Sequence, residues 1–373
     1  MHVPGWHERT RELQQAGRVR LAGLVQEQHP DRARLFMQWA QMGWPSLVDS
    51  FNLLNVPVVP MTLAIDEHGV IRHVDPAQDT IEEAFIDVTY PAPHTMAHVR
   101  DVVPGLHVGP DAVIAACDEA LQSDRDTPAL HFRRGVTLRA RHDSPARQPG
   151  DFAAAVESWQ RALDLEPNQY IWRRRLQQYG PRLEKPYPFY DWVRQARDDV
   201  RARGETPVPL MVEPDGAEIA QPASAFTEAL GTAAHEPDPQ GRILRDDGEF
   251  IRLETVLVPP VVSAGGVCRV HLEFHPVAAR QAHWNNEGGD LEVWIDIPVR
   301  GEVEQRALTV PNPSPPTSME VRRVEVEVRA SAGQDLHEVR LRGYALYYVC
   351  EGRGGTCLYR RQDIDVRIPV RQP

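Results

Sequence analysis

The stretch Gly343–Val370 reads GYALYYVCEGRGGTCLYRRQDIDVRIPV. Apolar and polar residues alternate on both sides of a glycine-rich centre, the period-two signature of a strand, a turn and a return strand. Cys350 and Cys357 stand at the two mouths of the turn, around a loop that holds Gly352, Gly354 and Gly355. Directly opposed residues in a non-hydrogen-bonded antiparallel pair lie about 4.5 Å apart between Cα atoms, a separation a disulfide accepts. Glycines supply the positive φ that a tight loop needs. A Cys350–Cys357 disulfide is therefore geometrically natural. It would close a loop that the hairpin already closes, so it removes little chain entropy compared with a bridge between distant strands. That makes a reversible pair plausible and leaves a structural one open. A metal-binding pair is a third reading, with two further ligands lacking nearby.

Upstream, from about residue 250, the same alternation recurs in FIRLETVLV, VCRVHLEF, LEVWIDI and VRRVEVEVR. Six or more strands without a helical pattern predict an antiparallel immunoglobulin-like sandwich over 250–373. Cys268 falls at a position expected to face the core, reduced and inert. His283 and Trp284 are expected at the sandwich rim, with contact to a ligand as the sharper alternative.

Residues 206–249 contain TPVPLMVEPDGAEIAQPAS and read as a linker. Residues 101–205 read as helical. GPDAVIAACDEALQS places Val113, Ile114, Cys117 and Leu121 at helical spacing, which makes Cys117 a buried small apolar residue. FAAAVESWQRALDLEPNQ has Ala155, Trp159, Ala162 and Pro167 in the order small, aromatic, small, helix stop, and resembles the second helix of a tetratricopeptide repeat. LHFRRGVTLRA, with Gly135 at a close-packing position, would be its first helix. A single repeat cannot bury its own face, so a helical connector or docking surface is expected. QYGPRLEKPYPFYDW, dense in aromatics and prolines, is read as a packed inter-domain loop, with an interaction surface as the alternative.

Residues 1–100 alternate helix and strand. GWHERTRELQQAG suits a helix closed by Gly17, VRLAGLVQ a buried strand, and DRARLFMQWAQMG a helix with Asp31 at the N-cap. MTLAID and VIRHV form a strand pair around the turn EHG. Glu27 and His29, in EQHPDR, are candidate substrate contacts, with a helix start as the simpler role.

The bulk numbers narrow the partners. A chain of 373 residues calls for more than one domain. A formal net charge of −12 argues against nucleic acid as the main partner. No apolar run approaches the roughly 20 residues that cross a bilayer, and MHVPGWHERT lacks a signal-peptide core.

The order of elements over residues 1–100 resembles the thioredoxin-like fold, in particular redoxins of the TlpA and peroxiredoxin type. Pro60 stands where that family has a cis-proline, and IDEHGVIR matches its Asp-x-x-Gly hairpin. The family's first strand and Cys-x-x-Cys have no counterpart, as no cysteine precedes Cys117. A start truncated relative to the family is expected, with the motif and any signal peptide upstream. The Tyr347, Cys350, Cys357, Tyr359 and IDVRIPV pattern resembles the periplasmic N-terminal domain of DsbD-type thiol reductases, and HLEFHPVAARQAHWNNEGGDLEVWIDIP extends the likeness more weakly. The family's membrane-spanning domain is absent.

These resemblances imply a thiol–disulfide exchange protein in the periplasm or another extracytoplasmic compartment. Cys350 and Cys357 would pass electrons to or from another thiol–disulfide protein, with no cofactor and no metal. The alternative is a non-catalytic interaction scaffold in which the same bond is structural.

Overall fold

The computed structural model describes residues 2–92, 105–182, 191–212, 235–333, 335–352 and 355–371. The middle of the expected linker, most of the loop before Tyr190, and residues 353 and 354 of the cysteine loop lie outside them. The chain mixes helices with several sheets and divides into two compact units.

The first unit comprises Met1–Arg141, Arg161–Arg175 and Pro188–Glu213. It begins with α1 (His2–Arg9) and α2 (Arg11–Gln15), closed by Gly17 at φ +72°. β1 (Gly23–Val25), α3 (Asp31–Trp39), β2 (Ser46–Val48), β3 (Leu63–Ile65) and β4 (Ile71–Val74) follow. β1 pairs with β2 in parallel and β3 with β4 antiparallel, as two separate two-stranded sheets. The β3–β4 turn forms because the Asp66 carboxylate accepts from the backbone N–H groups of His68 and Val70, both at 2.9 Å, while Gly69 takes φ +78°. The Val59–Pro60 peptide is cis. Asp31 is the first helical residue of α3, not its cap; Pro30 occupies the cap position. The Asp31 carboxylate instead accepts from the Met211 N–H at 2.5 Å.

The helices α4 (Pro110–Ser123), α5 (Pro128–His142), α6 (Asp151–Leu165), α7 (Tyr170–Gln177) and α8 (Asp191–Ala202) complete the α-helical part. Ala155, Trp159 and Ala162 of α6 are fully buried. The apolar stripe read in the sequence is thus a packing face. In the first unit Phe132 of α5 stacks on Trp172 of α7, and Leu35 of α3 packs with Val193 and Ala196 of α8.

The second unit comprises His142–Gln160, Leu176–Tyr187 and Pro214–Pro373. Its strands are β5 (Ile251–Val258), β6 (Val262–Ser263), β7 (Val267–Pro276), β8 (Ala282–Asn285), β9 (Leu291–Ile295), β10 (Gly301–Val303), β11 (Ala307–Val310), β12 (Thr317–Ser318), β13 (Arg322–Ala330), β14 (Glu338–Glu351) and β15 (Cys357–Arg371). One sheet has the order β10-β13-β7-β5; the other runs β11-β9-β14-β15-β6, with β8 between β12 and the end of β14. Both sheets feed one apolar core that includes Ile251, Leu272, Phe274, Trp284, Leu341, Tyr347 and Ile368. The ladders are antiparallel except that β6 joins β15 in parallel, through Val262↔Val370.

β7 departs from the expected pattern of one dry and one wet face. Its core side carries Cys268, Val270, Leu272 and Phe274. Its other side carries Arg269, His271, Glu273 and His275, and these are buried too. The segments His142–Gln160 and Leu176–Arg182 cover them: Phe152 meets His271 at 5.1 Å between ring centroids, and the Tyr179 carbonyl accepts from His271 Nε2 at 2.8 Å.

Candidate functional site

Cys350 and Cys357 are disulfide-bonded, with Cα atoms 4.0 Å apart, and form the last register pair of the β14–β15 hairpin. The loop between them explains its glycines. Gly352 takes φ +62° and donates its N–H to the Gln281 carbonyl at 3.1 Å. A Cβ on Gly355 would lie 1.5 Å from the Glu351 carbonyl oxygen, so no side chain fits there.

The two sulfurs occupy different environments. Along β14 the odd residues Leu341, Ala345, Tyr347 and Val349 enter the core. The even residues Tyr344, Leu346, Tyr348 and Cys350 point to the sheet's other face. On that face Cys350 is 3% exposed, whereas Cys357 is exposed. Tyr348 and Tyr359 form the next cross-strand pair and stack at 4.5 Å. The backbone of Gly288 lies against Tyr348: a Cβ there would be 2.5 Å from the ring. Asn312 holds that loop in place by donating its side-chain amide to the Gly288 and Gly289 carbonyls at 3.2 and 3.1 Å.

On the other side of Cys350 stands β8, where His283 is its direct register partner. His283 is half-buried. Its Nδ1 is 3.3 Å from the Gln281 carbonyl oxygen. The expected rim position holds for neither neighbour in the same way. Trp284 turns into the core, fully buried, donates Nε1–H to the Glu320 carbonyl at 2.8 Å and carries the Arg322 guanidinium on its face. Alternation along β8 sends adjacent residues to opposite faces, and the sequence alone did not show which one pointed inward.

Tyr347 anchors the inner face below the pair. Its hydroxyl donates to Asp246 Oδ2 at 2.9 Å, and the same carboxylate accepts from the N–H groups of Phe250 and Ile251. Burial first, then the Asp246 charge, push the phenol far above its ordinary range. Cys268 is fully buried, and burial pushes its thiol up to about 12. Burial likewise raises Cys117. Both are free cysteines, as expected. Glu27 forms a two-point pair with Arg32 at 2.8 and 3.2 Å beside the start of α3, a structural arrangement. His29 is buried.

The covered face of β7 is the second concentration of polar chemistry. Donor atoms of Glu254, Glu273 and His275 lie within 4.8 Å of one another, a spacing that suits a metal ion. The surrounding cations argue otherwise. Arg323 Nε donates to Glu273 at 2.9 Å and Arg252 to Glu254 at 2.8 Å. Arg147 Nη1 is 3.3 Å from His275 Nδ1. A guanidinium only donates, so Nδ1 accepts and Nε2 carries the proton, which leaves it no lone pair for a metal. That Nε2 faces Glu273 Oε2 at 3.3 Å, close but poorly aligned. His142 Nε2 meets the other Glu273 oxygen at 3.3 Å. Burial alone would raise the Glu273 carboxyl; its contacts with His142 and His275, and the Arg323 charge, outweigh that and hold it well below the usual carboxylate range. The stripe is a clamp that fixes the overlying helical segment.

Comparison with known proteins adds little. No family model matches the chain, and no curated protein does. A solved structure described as "AvmM Catalyzes Macrocyclization in Alchivemycin A Biosynthesis" shares 14% identity over 35% of this chain and 96% of its own, with a TM-score of 0.18. At that score it carries no argument about fold or activity. Among the described residues no helix is long and apolar enough to cross a membrane.

Proposed function

We propose that the C-terminal unit is a thiol–disulfide exchange module that moves electron pairs through Cys350 and Cys357, in an extracytoplasmic compartment and with another thiol–disulfide protein as partner. The observation that carries this reading is the asymmetry of the pair: an exposed Cys357 bonded to a buried Cys350 at the end of a hairpin. A bridge spanning a sequence separation of only 7 constrains the unfolded chain weakly. The exposed sulfur offers an incoming thiolate a point of attack. The thiolate bonds to Cys357 Sγ, the S–S bond breaks, and its electron pair leaves on Cys350 Sγ. A second partner thiol then releases Cys357 and becomes the partner's own disulfide.

The resemblance of this unit to an immunoglobulin-like DsbD domain supports the reading. So does the redoxin-like order of the first unit, with a parallel β1–β2 pair, an antiparallel β3–β4 hairpin and Pro60 before β3. The test uses single-cysteine variants of the full chain mixed with a small aromatic disulfide under native conditions. C350S should exchange rapidly at Cys357, and C357S should exchange more slowly at the buried Cys350. Failure of both variants to exchange while folded would remove the proposal and leave a structural bridge.

A further inference from the structure

We propose, resting on the exchange reading above, that His283 is the acid–base partner of Cys350. Three observations converge. First, the register places His283, Cys350 and Cys357 in one row across β8, β14 and β15, on the same sheet face. Cys350 makes its close, disulfide-bonded pair with β15, and its neighbour Glu351 donates its N–H to the Thr356 carbonyl at 3.3 Å. The backbone groups of Cys350 therefore point toward β8. That makes His283–Cys350 a hydrogen-bonded pair, whose Cα atoms lie about 5.5 Å apart. Directly opposed side chains on one face are neighbours, with Cβ atoms about 4.5–5.5 Å apart.

Second, the His283 tautomer is set by its neighbour. The Gln281 carbonyl can only accept, so the 3.3 Å contact puts the proton on Nδ1 and leaves the Nε2 lone pair basic. Third, Cys350 is the sulfur that needs help. It is buried, and a thiolate formed there by S–S cleavage is costly without a proton or a cation.

A partner thiolate forms a bond to Cys357 Sγ, and the S–S electron pair passes to Cys350 Sγ. A protonated His283 gives its Nε2 proton to that sulfur and becomes neutral. In the reverse direction neutral His283 removes the Cys350 thiol proton, and the thiolate attacks the Cys357–partner disulfide. The oxidised and reduced species are this disulfide and a partner dithiol, two electrons on each side.

Other titratable and polar groups lie on the same strands or next to them. Tyr348 lies diagonally on β14 and Tyr359 beyond it on β15. Glu351 follows Cys350. Ser318 of β12 pairs with Trp284, and Glu320 follows two residues later. Arg280 precedes β8. Of these, Glu351, Glu320 and Arg280 are the charged groups to control for.

The experiment compares wild type, H283Q, E351Q, E320Q and R280Q in the full chain. It follows reduction of the Cys350–Cys357 bond by dithiothreitol from pH 5 to 8, normalised to the dithiothreitol thiolate. Imidazoles titrate in this window. H283Q should slow reduction by about 10- to 100-fold at the acid end, within the range of general acid–base effects, and flatten the profile. The three control variants should keep the wild-type profile. An H283Q profile that matches wild type overturns the role of His283 alone. A wild-type bond that is not reduced until the protein unfolds overturns the exchange reading and this inference with it.

Discussion

Replacing Glu273 by Gln tests whether the polar face of β7 is a clamp. The Glu273 side chain is 3% exposed and meets Arg323 at 2.9 Å, with His142 and His275 each at 3.3 Å. Breaking a buried ion pair costs about 3–5 kcal/mol when the remaining charge is stranded. Arg323 is not stranded, because its side chain is 46% exposed and can turn to water. The loss is then confined to the two buried histidine contacts. Neither contact is a well-aligned hydrogen bond, so each is valued as an ordinary net bond at its upper end, about 1–1.5 kcal/mol. The expected total is about 2–3 kcal/mol, or roughly 30- to 150-fold in an opening equilibrium. Native hydrogen exchange of the peptide Val267–Pro276 at pH 7 reads that opening directly. A change within about twofold would refute the clamp, since surface substitutions stay within about 0.5 kcal/mol. The pH dependence has a fixed sign. The folded carboxyl is held below its ordinary range, so its contribution is complete above that range and is lost as pH falls through the folded value. The stability gap between wild type and E273Q should therefore be full at pH 7 and narrow progressively as pH falls below the ordinary carboxylate range.

Cysteine labelling should follow burial: after native reduction, iodoacetamide at pH 8 should modify Cys357 first, while Cys268 and Cys117 stay unmodified in the folded protein and react on denaturation, as alkylation followed by mass analysis would show. Gly288→Ala places a Cβ 2.5 Å from the Tyr348 ring, so it should displace the loop or the ring and cost about 1–3 kcal/mol, measured by urea unfolding of the variant against wild type. Tyr347→Phe removes the hydrogen bond to the half-buried Asp246 carboxylate and should cost about 1–3 kcal/mol in the same measurement, with little change if Asp246 is satisfied by its backbone donors alone.

The strands of the second unit were legible because a sheet with one dry face writes its period into the chain. The hairpin was legible as well, since glycines between two alternating runs leave few other backbones. The outer face of β7 was not. Arg269, His271, Glu273 and His275 alternate with apolar residues just as a solvated face would, and the tertiary covering by His142–Gln160 and Leu176–Arg182 makes them interior. His283 and Trp284 show the same limit on a smaller scale: period two separates their faces but does not say which is the core. In the first unit the β3–β4 hairpin formed as read, but the expected buried strand VRLAGLVQ shortens to Gly23–Val25 with Leu24 exposed; β1–β2 and β3–β4 remain separate pairs, and Leu47, Val48, Ile71 and Val74 stay exposed. Pairing between sheets depends on long-range contacts that no local pattern encodes.

The Cys350–Cys357 bond is either an exchange pair or a staple, and its reduction potential separates the two most directly. The full chain is equilibrated against graded ratios of reduced and oxidised glutathione under native conditions, then acid-quenched, alkylated and weighed. An exchange pair at Cys350 and Cys357 should titrate reversibly at a potential above the roughly −300 mV below which structural disulfides typically fall. A bond that remains oxidised across the whole glutathione range, and opens only once the protein unfolds, would identify a staple and contradict the account.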